Sequence, residues 1–223
     1  MRRVRLQHRR AYPQGHQDQA EFTGLRQEQL SIEQPLLFPG QYSARIGKAD
    51  REIEAARARD RGEEVEKLPR IYADVINHAI ADRPHDMVIT THVCRGNFRS
   101  TWVSEGGYEP IAERLFCGVN FDGYFLEYDS DRSGGFEPLA FVPKNKRVVL
   151  GLVSSKKPEI ESKDQLKRRI EEAAKFFPLE NLCLSPQCGF ASTHHGNKIT
   201  EDVKKRKLAL LVEVATEVWG SAA

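Results

Sequence analysis

The chain contains three segments in which apolar residues recur at the spacing of an α-helix. The first covers residues 66–81, where the apolar positions fall on one face. The second follows Ser162 and Gln165, which stand three residues apart as in a capping box. The third begins near Thr200 and ends at Gly220, a residue type common just after a helix C-terminus. These patterns predict three amphipathic helices that each pack one face against a core.

Four short apolar runs follow the first of these helices and alternate with the others. They cover residues 87–91, 124–127, 147–153 and 182–184. They lack the alternation of apolar and polar residues that a half-exposed strand shows. Continuous apolar runs of this kind are typical of a parallel sheet buried on both faces. The predicted fold is therefore α/β, with about four βα units. Because a complete (β/α)₈ barrel of the TIM type needs roughly 250 residues, we expect a partial barrel.

Residues 1–48 do not share this patterning. They are rich in Arg and Gln and show no sustained period of 2 or 3.6, so we expect an irregular or poorly ordered segment. A solvated tail is favoured for the arginine-rich first ten residues over a transit peptide or an anion-binding arm. No strand is expected before residue 65. The predicted organisation is an N-terminal segment, 1–48, and the C-terminal half of a barrel, 49–223.

Charge and cysteine content narrow the class of protein. The 223 residues include 34 Lys and Arg against 32 Asp and Glu, and this balance gives no field that favours nucleic acid or acidic membranes. No window approaches 18 consecutive apolar residues, so no membrane span is expected. Four cysteines are too few for a disulfide scaffold in a chain of this length. We therefore expect a cytoplasmic protein whose cysteines are thiols.

Soft metal ligands follow the predicted strands at the positions where a parallel α/β fold places its chemistry. His92 and Cys94 come after the first strand, Glu127 ends the second, and Cys188 follows the fourth. Zinc binds thiolate and imidazole well, and four such ligands complete a tetrahedron. The sequence therefore suggests a zinc site at this edge of the sheet. The alternative for the two thiols is that they pack as small apolar side chains.

Two further cysteines and two histidines have simpler interpretations. Cys117 and Cys183 lie in apolar segments, where a structural role in packing is favoured over metal binding. His194 and His195 lie on a loop after the fourth strand, where they are candidate catalytic proton donors beside the metal. The competing interpretation of these two imidazoles is an ordinary solvated loop.

Three stretches of the chain carry a family resemblance, and they are THVCRGNFRS (91–100), GYFLEYDSDRSGGFEPL (123–139) and LCLSPQCGFAST (182–193). Over roughly residues 65–220 the sequence resembles the catalytic domain of cobalamin-independent methionine synthase and its shorter relatives. The resemblance implies a (β/α)₈ barrel like that of uroporphyrinogen decarboxylase. It also implies transfer of a methyl or alkyl group to or from a thiol at a bound zinc ion. The zinc ligands that it implies are His92, Cys94, Glu127 and Cys188.

The methionine synthases of this family move a methyl group from polyglutamylated 5-methyltetrahydrofolate to homocysteine, so these two molecules are the expected partners. Two departures from the family pattern stand out. Val153-Ser154 occupies the place of a His-Ser pair whose histidine helps to protonate the folate leaving group. Residues 1–64 lack the earlier βα units, including an acidic strand end that holds the amino group of homocysteine.

These features leave three functions open. The first is a shortened, zinc-dependent homocysteine methyltransferase, which we expect to bind zinc but to transfer methyl slowly. The second is a zinc-dependent alkyltransferase of the type that joins coenzyme M to opened epoxides. The third is a zinc-binding fragment without turnover. A half barrel exposes strand edges, so self-association or a partner chain is also expected.

Overall fold

A computed structural model of the chain describes residues 30–32, 59–60, 62, 67–102, 105–191 and 194–222. The strands and helices are β1 (Leu30–Ile32), α1 (Leu68–Ala79), β2 (Ile89–Val93), β3 (Gly123–Glu127), β4 (Arg147–Val153), α2 (Lys163–Ala174), β5 (Leu182–Pro186) and α3 (Glu201–Trp219). A π-helical turn, Glu113–Cys117, lies between β2 and β3. Short 3₁₀ turns cover Asp131–Ser133, Glu137–Phe141 and Leu179–Asn181.

The strands form one parallel sheet in chain order, β1-β2-β3-β4-β5. Six of the seven β4 residues are buried, as the continuous apolar run predicts for a central strand. Tyr124 of β3 is also buried, and its ring meets Phe116 and Phe121 edge-on. The fold is therefore α/β with a parallel sheet, an incomplete barrel of the TIM type, as predicted.

Side-chain caps set the starts of two helices where the sequence predicts them. The Ser162 hydroxyl accepts a hydrogen bond from the Gln165 amide at 3.2 Å, and Thr200 caps α3 in the same way. At the other end of α3, Gly220 adopts φ +77°, a left-handed conformation that costs glycine little. The predicted helices are confirmed.

Gly151 of β4 allows a close approach of chain segments at the carboxyl end of the sheet. A Cβ atom built at this position would lie 2.8 Å from Gln187 Cα and 2.9 Å from the carbonyl oxygen of Leu126. Both neighbours are backbone atoms and have little freedom to move. Only glycine therefore lets β3 and the segment after β5 come this close to β4.

The expectation that no strand precedes residue 65 is wrong at one point. Leu30–Ile32 forms a strand that pairs in parallel with β2, with Leu30 opposite Ile89. A strand of three residues is too short to show a hydrophobic period in the sequence. It is recognised only by its pairing with β2. The rest of the predicted irregular segment 1–48 lies outside the described residues. In the part of the chain that the structure describes, no helix could cross a membrane.

Candidate metal centre and its rim

Two thiols and an imidazole meet where β2 and β5 end. Cys188 Sγ lies 3.0 Å from Cys94 Sγ and 3.3 Å from His92 Nε2. The ligand atoms of all three residues lie within 4.8 Å of one another, and the described ranges hold no second group of this kind. We call these three residues the thiol–imidazole cluster. The structure thus brings together three of the four predicted zinc ligands.

Glu127 lies beside the thiol–imidazole cluster but outside its 4.8 Å group. It is buried at the end of β3, and its carboxylate accepts hydrogen bonds from the Arg95 amide at 2.8 Å and from Trp102 Nε1 at 3.1 Å. Burial raises the pKa of Glu127, and the charge of Cys94 raises it further. The carboxylate is therefore close enough to interact with the thiols, while its own donors hold it in place. Its assignment as the fourth ligand stays a prediction.

The two thiols of the cluster share one proton. A hydrogen bond from Cys188 is the main reason that the pKa of Cys94 falls to about 4, against an opposing effect of burial. The same hydrogen bond, together with burial, raises the pKa of Cys188 well above its usual value. Cys94 is therefore the thiolate of the pair, and Cys188 is its thiol donor. One thiolate, one thiol that can lose its proton to a bound metal, and one imidazole form a donor set that fits a borderline-soft divalent metal.

Arg95 fixes the ends of β2 and β3 relative to each other. Its guanidinium is almost fully buried, donates to the carbonyl oxygens of Gly106 and Glu127, and stacks on the Tyr108 ring at 4.5 Å. Together with the amide of the same residue, these contacts position the Glu127 carboxylate. Sequence reasoning did not single out Arg95, because its role depends on partners that are distant in the chain.

A second group of residues borders the cluster, and we call it the charged rim: Trp102, Asp129, Arg132, Lys156, Lys157 and Gln187. Cations surround the Trp102 ring, with Arg132 Cζ at 4.5 Å, Lys156 Nζ at 5.1 Å and Lys157 Nζ at 5.7 Å from its centroid. Lys156 Nζ also donates to Gln187 Oε1 at 2.7 Å. The charged rim was missed from the sequence, where a Lys-Lys pair after a strand carries little signal.

The loop that bears Lys156 is anchored to α3. Glu161 accepts a hydrogen bond from the Ser154 amide at 2.9 Å, and it pairs with the fully buried Lys207 at 2.9 Å. Lys207 Nζ also donates to the Glu159 carbonyl oxygen. The anchor therefore holds both ends of the segment from Ser154 to Glu161.

His194 and His195 lie exposed on the segment after β5, with ring centroids 3.7 Å apart. The His195 ring meets Phe98 edge-on at 5.7 Å, and Phe98 belongs to the loop that follows Cys94. The histidines therefore lie on the same side of the sheet as the cluster but are not members of it. Their role as proton donors stays a prediction.

The two remaining cysteines lie away from the cluster. Cys183 is partly buried in β5, and burial raises its pKa, in agreement with a role in packing. Cys117 is exposed, and its thiol donates to the Phe141 carbonyl oxygen at 3.3 Å. The predicted packing role is therefore wrong for Cys117, because the π-helical turn directs this position outward.

Fold and site together define an α/β protein with a candidate metal site at the carboxyl edge of a parallel sheet. Residues 70–217 match the model of the cobalamin-independent synthase catalytic domain. The match covers more than half of the chain, which therefore belongs to this family. The resemblance seen in the sequence is confirmed.

Two similar proteins come from Bacillus subtilis (strain 168), and both are uncharacterized. YxjH is 55% identical over 159 residues, which cover 71% of this chain and 42% of YxjH. YxjG is 57% identical over 155 residues, which cover 69% of this chain and 41% of YxjG. The chain thus spans less than half the length of these relatives.

Solved structures show the same fold. A candidate vitamin-B12-independent methionine synthase from Listeria monocytogenes superposes with a TM-score of 0.54 at 38% identity, over 70% of this chain and 42% of that one. A B12-independent methionine synthase from Shewanella sp. W3-18-1, solved with selenomethionine, gives a TM-score of 0.51 at 19% identity, over 69% and 46%. At that identity the Shewanella protein is similar in fold alone.

Proposed function

We propose that this chain belongs to a zinc-dependent methyltransferase that forms methionine from homocysteine, with polyglutamylated 5-methyltetrahydrofolate as the methyl donor. Family membership supports a methyltransferase. The observation that carries the proposal is the thiol–imidazole cluster, because a soft metal ion bound there would lower the pKa of a substrate thiol and hold its sulfur for methyl transfer. The described residues supply such a donor set at the edge of the sheet where parallel α/β proteins bind substrates.

Zinc would be held by His92, Cys94 and Cys188, with Glu127 as the proposed fourth ligand. Zinc at this position supplies Lewis acidity, which lowers the pKa of a bound thiol and leaves the sulfur nucleophilic at neutral pH.

The chain's own residues have three tasks in this proposal. Cys188 gives up the proton that it shares with Cys94 when metal binds, so the site carries two thiolates. Arg95 and Trp102 hold the Glu127 carboxylate through its two oxygens and keep it oriented toward the cluster. His194 and His195 are the proposed source of the proton that the leaving group takes up.

The test uses the purified chain loaded with Co²⁺ in place of zinc. Addition of homocysteine is expected to increase the sulfur-to-cobalt charge-transfer absorption, because one more thiolate joins the metal. Methionine, which has no thiol, is the matched control ligand and should leave that absorption unchanged. Failure to bind metal, or a spectrum unaffected by homocysteine, would contradict the proposed function.

A further inference from the structure

The loop after β2 makes a tight turn in an unfavourable backbone conformation. Phe98 and Thr101 exchange two backbone hydrogen bonds, at 3.1 and 2.9 Å. The two residues between them, Arg99 and Ser100, have φ values of 50° and 67°. Positive φ values are uncommon in residues of these types, and they persist where surrounding contacts hold them in place. The contacts that hold this turn therefore indicate its role.

Asn197, on the segment after β5, binds the turn to two other parts of the chain. Its Oδ1 accepts a hydrogen bond from the Ser100 amide at 3.2 Å, and its Nδ2 donates to the Ser155 carbonyl oxygen at 2.7 Å. The backbone amide of Asn197 donates to the Phe190 carbonyl oxygen at 3.2 Å. The next amide, that of Lys198, donates to the Ser100 hydroxyl at 2.8 Å. One residue therefore joins the loops that follow β2, β4 and β5.

Asn97 makes a second link between these loops, closer to the thiols. Its side chain is buried, and its Nδ2 donates to the Gly189 carbonyl oxygen at 2.9 Å. Asn97 lies three residues after Cys94, and Gly189 directly follows Cys188. A single hydrogen bond thus connects the two short segments that carry the thiols.

The link through Asn197 also leads to Cys188. The Ser155 hydroxyl donates to Gln187 Oε1 at 2.9 Å, and Gln187 directly precedes Cys188 in the chain. The loop after β4 therefore contacts the segment after β5 at two points, through Asn197 and through Gln187.

Sheet topology explains why such links matter for the thiol–imidazole cluster. Cys94 follows β2 and Cys188 follows β5, and β3 and β4 lie between these two strands in the sheet. No direct strand pairing therefore sets the distance between the two thiols. Contacts between the loops that carry them must contribute to it.

We propose that Asn97 and Asn197 are positioning residues of the candidate metal centre, because they hold the loops after β2, β4 and β5 together and so keep Cys94 and Cys188 close enough to bind one ion. We call these two residues the asparagine clasp. Neither belongs to the cluster itself, so both act through the loops. The inference rests on the metal site of the proposed function and is independent of the methyl donor and acceptor.

The experiment measures metal binding by Asn97→Ala and Asn197→Ala. Competition with a chromophoric chelator gives the affinities for Zn²⁺ and Co²⁺, and the absorption spectrum of bound Co²⁺ reports the geometry of its ligands. Removal of groups that orient metal ligands lowers affinity about 10–100-fold. We expect each variant to lose about tenfold or more and to show altered cobalt bands.

Asn77→Ala is the matched control. Asn77 also joins two segments through both ends of its amide, since its Nδ2 donates to the Gly118 carbonyl oxygen and its Oδ1 accepts from the Asn120 amide, both at 2.8 Å. These partners precede β3, at the end of the sheet opposite the cluster. The control should unfold at a lower urea concentration, yet its metal affinity should change by less than about twofold.

Urea unfolding of the metal-free chains shows that each variant is folded before metal is added. Asn197 is only partly buried, so Asn197→Ala keeps the test available if Asn97→Ala does not fold. A role in stability alone would lower the unfolding midpoint and leave both the affinity and the cobalt spectrum unchanged.

The outcomes separate the asparagine clasp from the proposed function. Wild-type affinity and a wild-type cobalt spectrum in Asn197→Ala would overturn the clasp and leave the metal site intact. An equal loss of affinity in Asn77→Ala would also overturn it, since that result indicates a general loosening of the fold. If the wild-type chain binds neither metal, the proposed function fails, and the clasp fails with it.

Discussion

Cys94 and Cys188 lie in contact in the thiol–imidazole cluster, so substitution of either thiol should have the same effect on the proposed zinc site. Cys94→Ser and Cys188→Ser are expected to lose most of their zinc, because a serine hydroxyl is a poor ligand for this metal. Cys183→Ser is the matched control. It removes a thiol from β5, should keep full zinc, and should cost about 1 kcal/mol of stability. Metal analysis after gel filtration distinguishes these outcomes, and full zinc in either cluster variant would remove the assignment.

Zinc binding should weaken as pH falls, and the shared proton gives the reason. Hydrogen bonding to Cys94 and burial raise the pKa of Cys188, so this residue carries a proton at neutral pH, whereas Cys94, with a pKa of about 4, does not. Metal binding must displace that one proton, so affinity is expected to fall about tenfold for each pH unit below neutrality. Competition with a chromophoric chelator at several pH values measures this slope. An affinity independent of pH would contradict thiol ligation by Cys188.

Much of the candidate metal centre could be predicted from residue types, and part of it could not. His92, Cys94 and Cys188 were found because soft ligands at strand ends have a recognisable chemistry. The donors that hold Glu127 were not found, because the Trp102 indole and the Arg95 amide meet it only through the folded sheet. Partners that are far apart in the chain cannot be recognised from the sequence alone.

At the scale of elements, the anchor between the β4–α2 loop and α3 makes a separate prediction. Lys207→Met should lower the free energy of unfolding by about 3 kcal/mol, because it leaves the Glu161 carboxylate without its buried counter-ion. Urea unfolding measures the change. Lys205→Met on the same helix is the control, since the exposed pair of Lys205 with Glu201 should matter little. Equal midpoints for the two variants would show that the anchor does not stabilise the fold.

Gly151 provides a second prediction at this scale. Gly151→Ala would place a methyl group 2.8 Å from Gln187 Cα, so the segment that carries Cys188 must shift. We expect zinc affinity to fall together with stability. Gly118→Ala is a suitable control, because its Cβ would meet only the Ala73 side chain at 3.8 Å, an ordinary contact. Chelator competition and urea unfolding on both variants test the comparison, and unchanged zinc affinity in Gly151→Ala would refute it.

The helices and strands were largely predictable, because the pattern of apolar residues in the sequence matches the pattern of burial in the structure. The runs that became β3 and β4 are continuous and apolar, and residues on both faces of each strand are buried. By contrast, β1 has three residues and depends on β2 for its definition. The π-helical turn was equally hidden, because its pattern cannot be told from that of an α-helix.

At the scale of the whole molecule, we expect slow methyl transfer, because the chain covers less than half the length of its relatives. The chain spans 42% of YxjH, and we expect zinc binding with methyl transfer slower than about 1 s⁻¹. Productive transfer needs sulfur and methyl carbon held in line, and positioning of that kind can contribute about 7–11 kcal/mol to lowering the barrier. Methionine formation from homocysteine and 5-methyltetrahydrofolate triglutamate measures the rate. Turnover near or above 1 s⁻¹ would show that this chain positions both substrates by itself.

Trp102 also gives the protein an optical reporter of its candidate metal site. The chain has two tryptophans, and they lie at opposite ends of the sheet. Trp102 donates to the Glu127 carboxylate, whereas Trp219 donates to the Leu179 carbonyl oxygen just before β5 begins. In a Trp219→Phe variant, all indole fluorescence arises beside the candidate metal site. Any change in how Glu127 is held would then appear directly as a change in emission.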